Sequence, residues 1–306
     1  MAVYTHISQF DVGALQSFSG ITSGVSNTNY LLNTTKGRFI LTLFEARTPA
    51  EDLPFCLEFM AHLNACGIPC PNVVPDKKGA VLTIMKGKPA VIITFLEGQS
   101  PLATQDFHAA ALGRALAQMH LAAEHFSKQQ TNALALPAWR KLLTDCGTRL
   151  NEIEPDLRGL IFEELGHAEA HWPKNLPRGA IHADLFRDNV FFNGKNLSGV
   201  IDFYFSCTDF FAYDLMVTVN AWFFNADGLP EKSRIAAFLD AYQKERPLSA
   251  EEKAALPFLG RAATLRYLAT RCYDWLHPAK GAIITPHDPR EYVRILKFYQ
   301  TGTPFL

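Results

Sequence analysis

The sequence predicts an α+β protein of two lobes, a small antiparallel-sheet N-lobe with one helix and a larger, mainly helical C-lobe. Two observations carry this. Up to about residue 96, short apolar runs alternate with turn residues, as strands do; beyond Thr104, apolar residues recur at helical spacing. The exception is Ile181–Phe192 with Gly199–Phe203, where apolar residues bracket a polar kernel and read as strand, loop, short strand, turn, strand. The expected lobes are 1–95 and 96–306.

In chain order, residues 1–18 form a short amphipathic opening in which Phe10, Leu15 and Phe18 are packing positions. Phe18 to Leu32 reads as a small-residue loop feeding a strand, Lys36-Gly37 as a turn, and Arg38 to Phe44 as the partner strand. Gly20, Ser23, Gly24, Ser26 and Asn27 would let backbone N–H groups approach phosphate oxygens closely. Such a loop on its own is usually just a turn, but its place before a hairpin, far upstream of the kernel, favours the phosphate role. A helix follows over residues 49–66, with Leu53, Leu57, Met60 and Leu63 at helical spacing. Gly67 stops it, and Ile68-Pro69-Cys70-Pro71 enforces an extended connection. Strands over Ala80–Met85 and Ala90–Phe95 complete the lobe.

In the second lobe, Thr104 to Phe126 reads as a long helix with Thr104 as N-cap and a buried stripe through Phe107, Leu112, Leu116, Met119 and Ala123. His120 and His125 read as packing or surface residues. Trp139–Ile153, Leu157–Trp172, 231–246 and 249–276 supply further helices, and one more closes the chain. His167, Glu169 and His171 are spaced H-x-E-x-H, not the H-E-x-x-H of a zinc protease, so they read as a polar helix face.

The kernel carries the chemistry. His182, Asp184 and Asn189 follow the H-x-D-x-x-x-x-N spacing of kinase catalytic loops, and Asp202-Phe203 stands where those enzymes carry D-F-G. Any one of these residues alone would read as a turn residue; the trio at this spacing does not. Asp184 would accept or orient the proton of an attacking hydroxyl. Asn189 and Asp202 are hard oxygen ligands of the kind Mg²⁺ prefers. His182 reads as a brace for the loop, and Asp214 as a helix cap or a support beneath it. Thr94-Phe95-Leu96 would then be a hinge receiving adenine. One part is missing, because Thr42 stands where kinases carry the phosphate-gripping lysine. Lys36, Arg38 and Arg47 are nearby cations, and Glu58 is a candidate for the lysine's usual glutamate, although solvated surface charge is the simpler reading of each. On the last long helix Arg266 and Arg271 lie among apolar residues, which implies either an acidic partner or an anionic ligand.

Composition bounds the rest. The 306 residues are 48% hydrophobic and 19% charged with a net charge of -1, which gives no general attraction to nucleic acid or anionic membrane. Six scattered cysteines without a C-x-x-C pair indicate a reducing compartment. No signal peptide is visible at the start and no apolar run reaches the roughly 18 residues of a spanning helix. A cytoplasmic protein with no obligate protein partner is expected.

Over nearly its full length the chain resembles the protein-kinase-like small-molecule kinases, the group of aminoglycoside phosphotransferases and choline kinases, and within it the homoserine kinases. The resemblance is carried by Asn27-Thr28-Asn29-Tyr30, Phe39 to Glu45, Gly67 to Pro71, Gly87-Lys88-Pro89-Ala90, Ile181 to Val190 and Asp288-Pro289-Arg290-Glu291-Tyr292. Thr42 in place of lysine departs from the general kinase pattern and is similar to the homoserine branch. The resemblance implies an ATP:alcohol phosphotransferase that uses ATP and Mg²⁺ to phosphorylate the side-chain hydroxyl of L-homoserine on the way to threonine. Asp184 would be the base, Asn189 and Asp202 the metal ligands, the Gly20–Asn27 loop with Thr42 the phosphate cover, and Thr94, Phe95 and Leu96 the adenine site. Arg266 or Arg271 would meet the acceptor's carboxylate and Asp209 or Asp202 its ammonium. The competing readings are the same chemistry on choline, methylthioribose or an aminoglycoside, or a nucleotide-binding scaffold. Tyr204, Phe210, Phe211 and Trp222 would supply a cage for choline.

Overall fold

A computed structural model describes residues 2–21, 27–45, 50–278 and 286–304. The first part is α1 (Ala2–Ile7), strands β1 (Leu15–Ile21), β2 (Asn27–Thr34) and β3 (Gly37–Phe44), helix α2 (Leu53–Ala65), and strands β4 (Val73–Val74), β5 (Thr83–Met85) and β6 (Lys88–Thr94). They form one antiparallel sheet ordered β1-β2-β3-β6-β4, with β5 also paired to β6. The period-2 pattern of β3 explains its place at the centre. Leu41 and Leu43 point to an outer core with Ile7, Phe10, Leu32, Ala90 and Ile92, while Phe44 faces α2 and the second lobe. The strand at residues 15–21 was not expected. It lies at the sheet edge, so most of its side chains stay exposed, and Phe18 rests only edge-on against Tyr4 and Tyr30. The expected strand over Ala80–Met85 is confined to its last three residues. Gly67 ends α2 with φ +81, a conformation an L side chain resists.

The second part holds α3 (Asp106–Ala123), α4 (Leu136–Cys146), α5 (Leu150–Ile153), α6 (Leu157–His171), β7 (Arg178–Ile181), β8 (Val190–Asn193), β9 (Asn196–Val200), β10 (Cys207–Phe210), α7 (Phe211–Trp222), α8 (Lys232–Glu245), α9 (Ala250–Leu276) and α10 (Arg290–Gln300). Strand β7 pairs with β10, and β8 with β9. Helix α7 is buried on nearly every side, so it runs through the core and not over the surface. Gly113 lets α3 approach α8, since a side chain there would run into the Phe238 carbonyl. The long helix begins one residue later than the sequence suggests. Gln105 caps it in a reciprocal pair with His108, and the Thr104 hydroxyl accepts instead from Arg234. The expected helix over Trp139–Ile153 is broken at Gly147, whose φ is +56. No helix among the described residues is long and apolar enough to cross a membrane.

The segment that follows β6 is fixed to the β8–β9 hairpin. Phe192 and Gln99 exchange backbone hydrogen bonds of 2.9 and 3.0 Å, and the Ser198 hydroxyl donates to the Glu97 carbonyl at 2.6 Å. Leu96 packs against Gly199, where a larger residue would collide with it.

Candidate active site

The kernel follows β7 because the strand delivers Ile181 into the core and the chain must then turn. The turn is held from below. The buried Asp214 accepts from the backbone N–H groups of His182 (3.1 Å) and Ala183 (2.8 Å). Ala183 has φ +63, a costly conformation for a residue with a side chain, and these bonds fix it. The Trp222 indole donates to the Leu185 carbonyl at 2.9 Å. The Asp184 N–H donates to His182 Nδ1 at 3.2 Å, so Nε2 carries the ring proton and donates to the Ile201 carbonyl at 3.0 Å. Burial lowers the His182 pKa and keeps the ring neutral. His182 therefore ties the loop to the approach of Asp202.

A buried chain extends this support. His120 lies 3.1 Å from Asp214 and 2.7 Å from the Tyr242 hydroxyl, which accepts from Arg246, itself paired with Glu252 at 2.9 Å. Burial acts to raise the Asp214 pKa, but His120 and the backbone donors outweigh it and hold the carboxyl below its usual value. Burial lowers that of His120. His120 is thus more than a packing residue. An isolated histidine in an apolar helix gives no hint of this in the sequence, because its partners come from α7 and α8.

Asp184 itself is anchored through one oxygen. The Tyr267 hydroxyl lies 3.1 Å and Arg266 Nη1 3.3 Å from its Oδ1. Arg266 is only 4% exposed and stacks 4.0 Å over the Tyr267 ring. Burial opposes its charge, but Tyr267 and Asp184 together raise its pKa above the usual value. The two residues are consecutive on α9, and an Arg-Tyr pair on an apolar helix was the available signal for Tyr267. The Asn189 amide donates to the Asp184 carbonyl at 2.8 Å, which leaves its side-chain oxygen for another partner. Asp202 has φ +64, and its pKa is pushed up to about 7 by burial and by the charges of Asp184 and Asp188. Three carboxylates crowded in this way are relieved by a cation. Among the described residues no three His, Cys, Asp or Glu side chains form a closed metal cage, so an amide–carboxylate pair completed by phosphate oxygens fits a hard divalent ion.

Above the cleft the picture differs. The Thr42 hydroxyl donates to Asn29 Oδ1 at 2.8 Å. Asn27 Oδ1 accepts from the Glu45 N–H at 3.3 Å, and Gly20 lies in β1 opposite Tyr30. Ser23, Gly24 and Ser26 lie outside the described residues, as does Arg47. The other cations suggested for the lysine's role are engaged elsewhere: Lys36 with Asp11 at 2.6 Å, and Arg38 with Glu97 and over the Phe95 ring. Glu58 pairs with Lys128, not with a cation in the cleft. In the hinge, the Thr94 N–H donates to the Asn72 carbonyl, the Asn72 N–H donates to the Thr94 hydroxyl, and the Phe95 N–H donates to the Arg38 carbonyl. The Leu96 N–H has no backbone acceptor among the described residues.

Two of the expected acceptor residues are not brought to Asp184. Arg271 pairs with Glu291 at 2.6 Å and stacks on Tyr292. Asp209 lies on β10 opposite Gly179, where it accepts from Asn132 Nδ2 (2.7 Å) and its own neighbour's N–H, with its pKa raised by burial. The aromatic residues suggested as a cage are dispersed. Tyr204 packs on Phe44, Phe211 on His120 and Phe210 on Trp172, while Trp222 serves the loop.

A sheet roofing a clamped H-x-D-x-x-x-x-N loop, with a partly buried Asp on the following turn, defines a kinase-like phosphotransferase. The phosphotransferase enzyme family matches residues 17–248, and the chain belongs to it. Within that family it is similar along nearly its whole length to curated homoserine kinases. The one from Rhodopseudomonas palustris is 48% identical over 98% of this chain and 95% of its own length. The one from Xanthobacter autotrophicus is 47% identical over 98% and 96%. Among solved structures, an amicoumacin kinase in complex with AMP-PNP and Ca²⁺ shares the fold at a TM-score of 0.75 and 14% identity, covering 99% of this chain and 93% of that one. A microcompartment-associated aminopropanol kinase does so at 0.61 and 18%, covering 97% and 93%.

Proposed function

We propose that this phosphotransferase moves the γ-phosphoryl group of ATP to the side-chain hydroxyl of L-homoserine, giving O-phospho-L-homoserine in the cytoplasm. The near-full-length similarity to homoserine kinases carries the choice of acceptor. The clamped loop supports the chemistry. Asp184 keeps one oxygen on Tyr267 and Arg266, and its other oxygen accepts the proton of the attacking hydroxyl. Arg266 is accordingly an anchor for Asp184 and not the acceptor's carboxylate partner. Asn189 and Asp202 would hold Mg²⁺, which bridges phosphate oxygens and offsets their charge. The Leu96 N–H is the hinge donor for adenine, and the six free cysteines fit a reducing compartment.

The test is ADP release with ATP and Mg²⁺ against L-homoserine, L-serine, choline, methylthioribose and kanamycin. Turnover should be strong on homoserine alone, and Asp184→Asn should reduce kcat by roughly 10²–10⁴-fold. Strong turnover on another alcohol would overturn the acceptor. Silence on all five with ATP still bound would favour a scaffold.

A further inference from the structure

The catalytic loop borders, at Arg187, a polar cavity of about 450 Å³, whose lining includes Thr104, Arg187, Trp222, Glu231, Arg234 and Glu291. We propose that this cavity receives the charged end of an α-amino acid acceptor, and that Arg187 binds its carboxylate. The inference rests on the homoserine reading above and adds the residue that would make the enzyme select an amino acid over a simple amino alcohol.

Position is the first argument. Arg187 opens the short 3-10 turn that follows Asp184 in the same loop, and Trp222 donates to the Leu185 carbonyl between them. The cavity therefore shares a wall with the backbone that carries the base. In the proposed arrangement the acceptor's hydroxyl sits at Asp184 and its charged end at this wall. The volume is within the roughly 300–1,000 Å³ range of small-molecule sites.

Charge is the second. Arg234 is paired with Glu231 and donates to Thr104, and Glu291 is paired with Arg271. Arg187 is exposed and makes no ion pair among the described residues. The lining itself carries two arginines and two glutamates; with Arg234 on Glu231, and Glu291 taken by Arg271 from outside the cavity, Arg187 is the lining charge left for an anion. A guanidinium presents a planar fork that matches a carboxylate. The ammonium can remain near Glu231 or Glu291, but each of these acids already has an arginine, so the carboxylate is the group that decides binding. Elimination agrees with this. Arg266 is buried on Asp184, and Arg271 is held by Glu291.

The experiment compares L-homoserine with L-homoserine amide, which keeps the hydroxyl and amine but lacks the negative charge, in the wild type, Arg187→Ala and Arg187→Lys. Arg187→Ala should raise KM for homoserine roughly 10- to 100-fold, the value of a charge-assisted contact, with KM for ATP and for the amide unchanged. Arg187→Lys should recover part of the loss. Because the side chain is exposed, neither variant should alter the melting temperature. An unchanged homoserine KM in Arg187→Ala, or equal increases for acid and amide, overturns the assignment of Arg187 while leaving the homoserine reading intact. A wild type that fails to phosphorylate homoserine overturns both.

Discussion

The floor and the roof of the cleft are built on different principles. On the floor, the loop bearing Asp184 is held by buried hydrogen bonds that converge from α3, α7 and α9: Asp214 on two backbone amides, His120 beneath it, Trp222 on the Leu185 carbonyl and Tyr267 on the carboxylate. On the roof, backbone pairing does the holding. The side chains facing the cleft are small and neutral, with Thr42 on Asn29, while charged pairs such as Lys36 with Asp11 and Lys88 with Glu45 are half-exposed. Buried ionic contacts are costly to break, whereas exposed ones contribute little. Geometry at the reacting oxygen is therefore fixed from below.

Breaking the floor should have the largest effect. Asp214→Ala leaves two buried N–H groups and His120 without their partner and releases Ala183 from its strained conformation. A stability loss of about 3–5 kcal/mol in urea titration is expected, with kcat falling in the fraction that remains folded. A loss below 1 kcal/mol would mean that the loop is held mainly by its own turn.

Acid should loosen the same region. Burial keeps His120 and His182 below the usual value of 6.5, so below about that pH the unfolded chain binds more protons than the native one. Their contribution to stability is complete above this value and is lost as pH falls through it. Asp202, its carboxyl pushed up to about 7, acts in the opposite sense over this window, so the histidine share is read as a difference: between pH 7 and pH 5 the wild-type melting temperature should fall relative to that of His120→Gln.

The smallest effect belongs to the roof. Thr42→Val removes one hydroxyl bond and should cost about 1 kcal/mol, with KM for ATP changed only a few-fold. A loss of ATP binding comparable to removing a kinase lysine would erase the contrast between the two surfaces.

How much of this was legible in the sequence follows the same division. The kernel could be read because its residues are close in the chain and their types are dictated by phosphoryl chemistry. The sheet could be read because short apolar runs such as Phe39–Phe44 are bounded by turn residues. The edge strand at Leu15–Ile21 could not, since an exposed edge needs no apolar alternation. Nor could the break at Gly147 inside an otherwise helical pattern.

By itself the sequence determined the two-lobed class, the position of Asp184, Asn189 and Asp202, and the absence of a lysine at Thr42, because these depend on local spacing and side-chain chemistry. Only the tertiary structure decided what each charged group faces. It joined Arg266 to Asp184 across 82 positions, placed His120 under Asp214, withdrew Asp209 to β10 and left Arg187 without an ionic partner among the described residues. Partners of that kind are set by how helices distant in the chain pack together, and a burial pattern along one helix does not specify which residue of another it will meet.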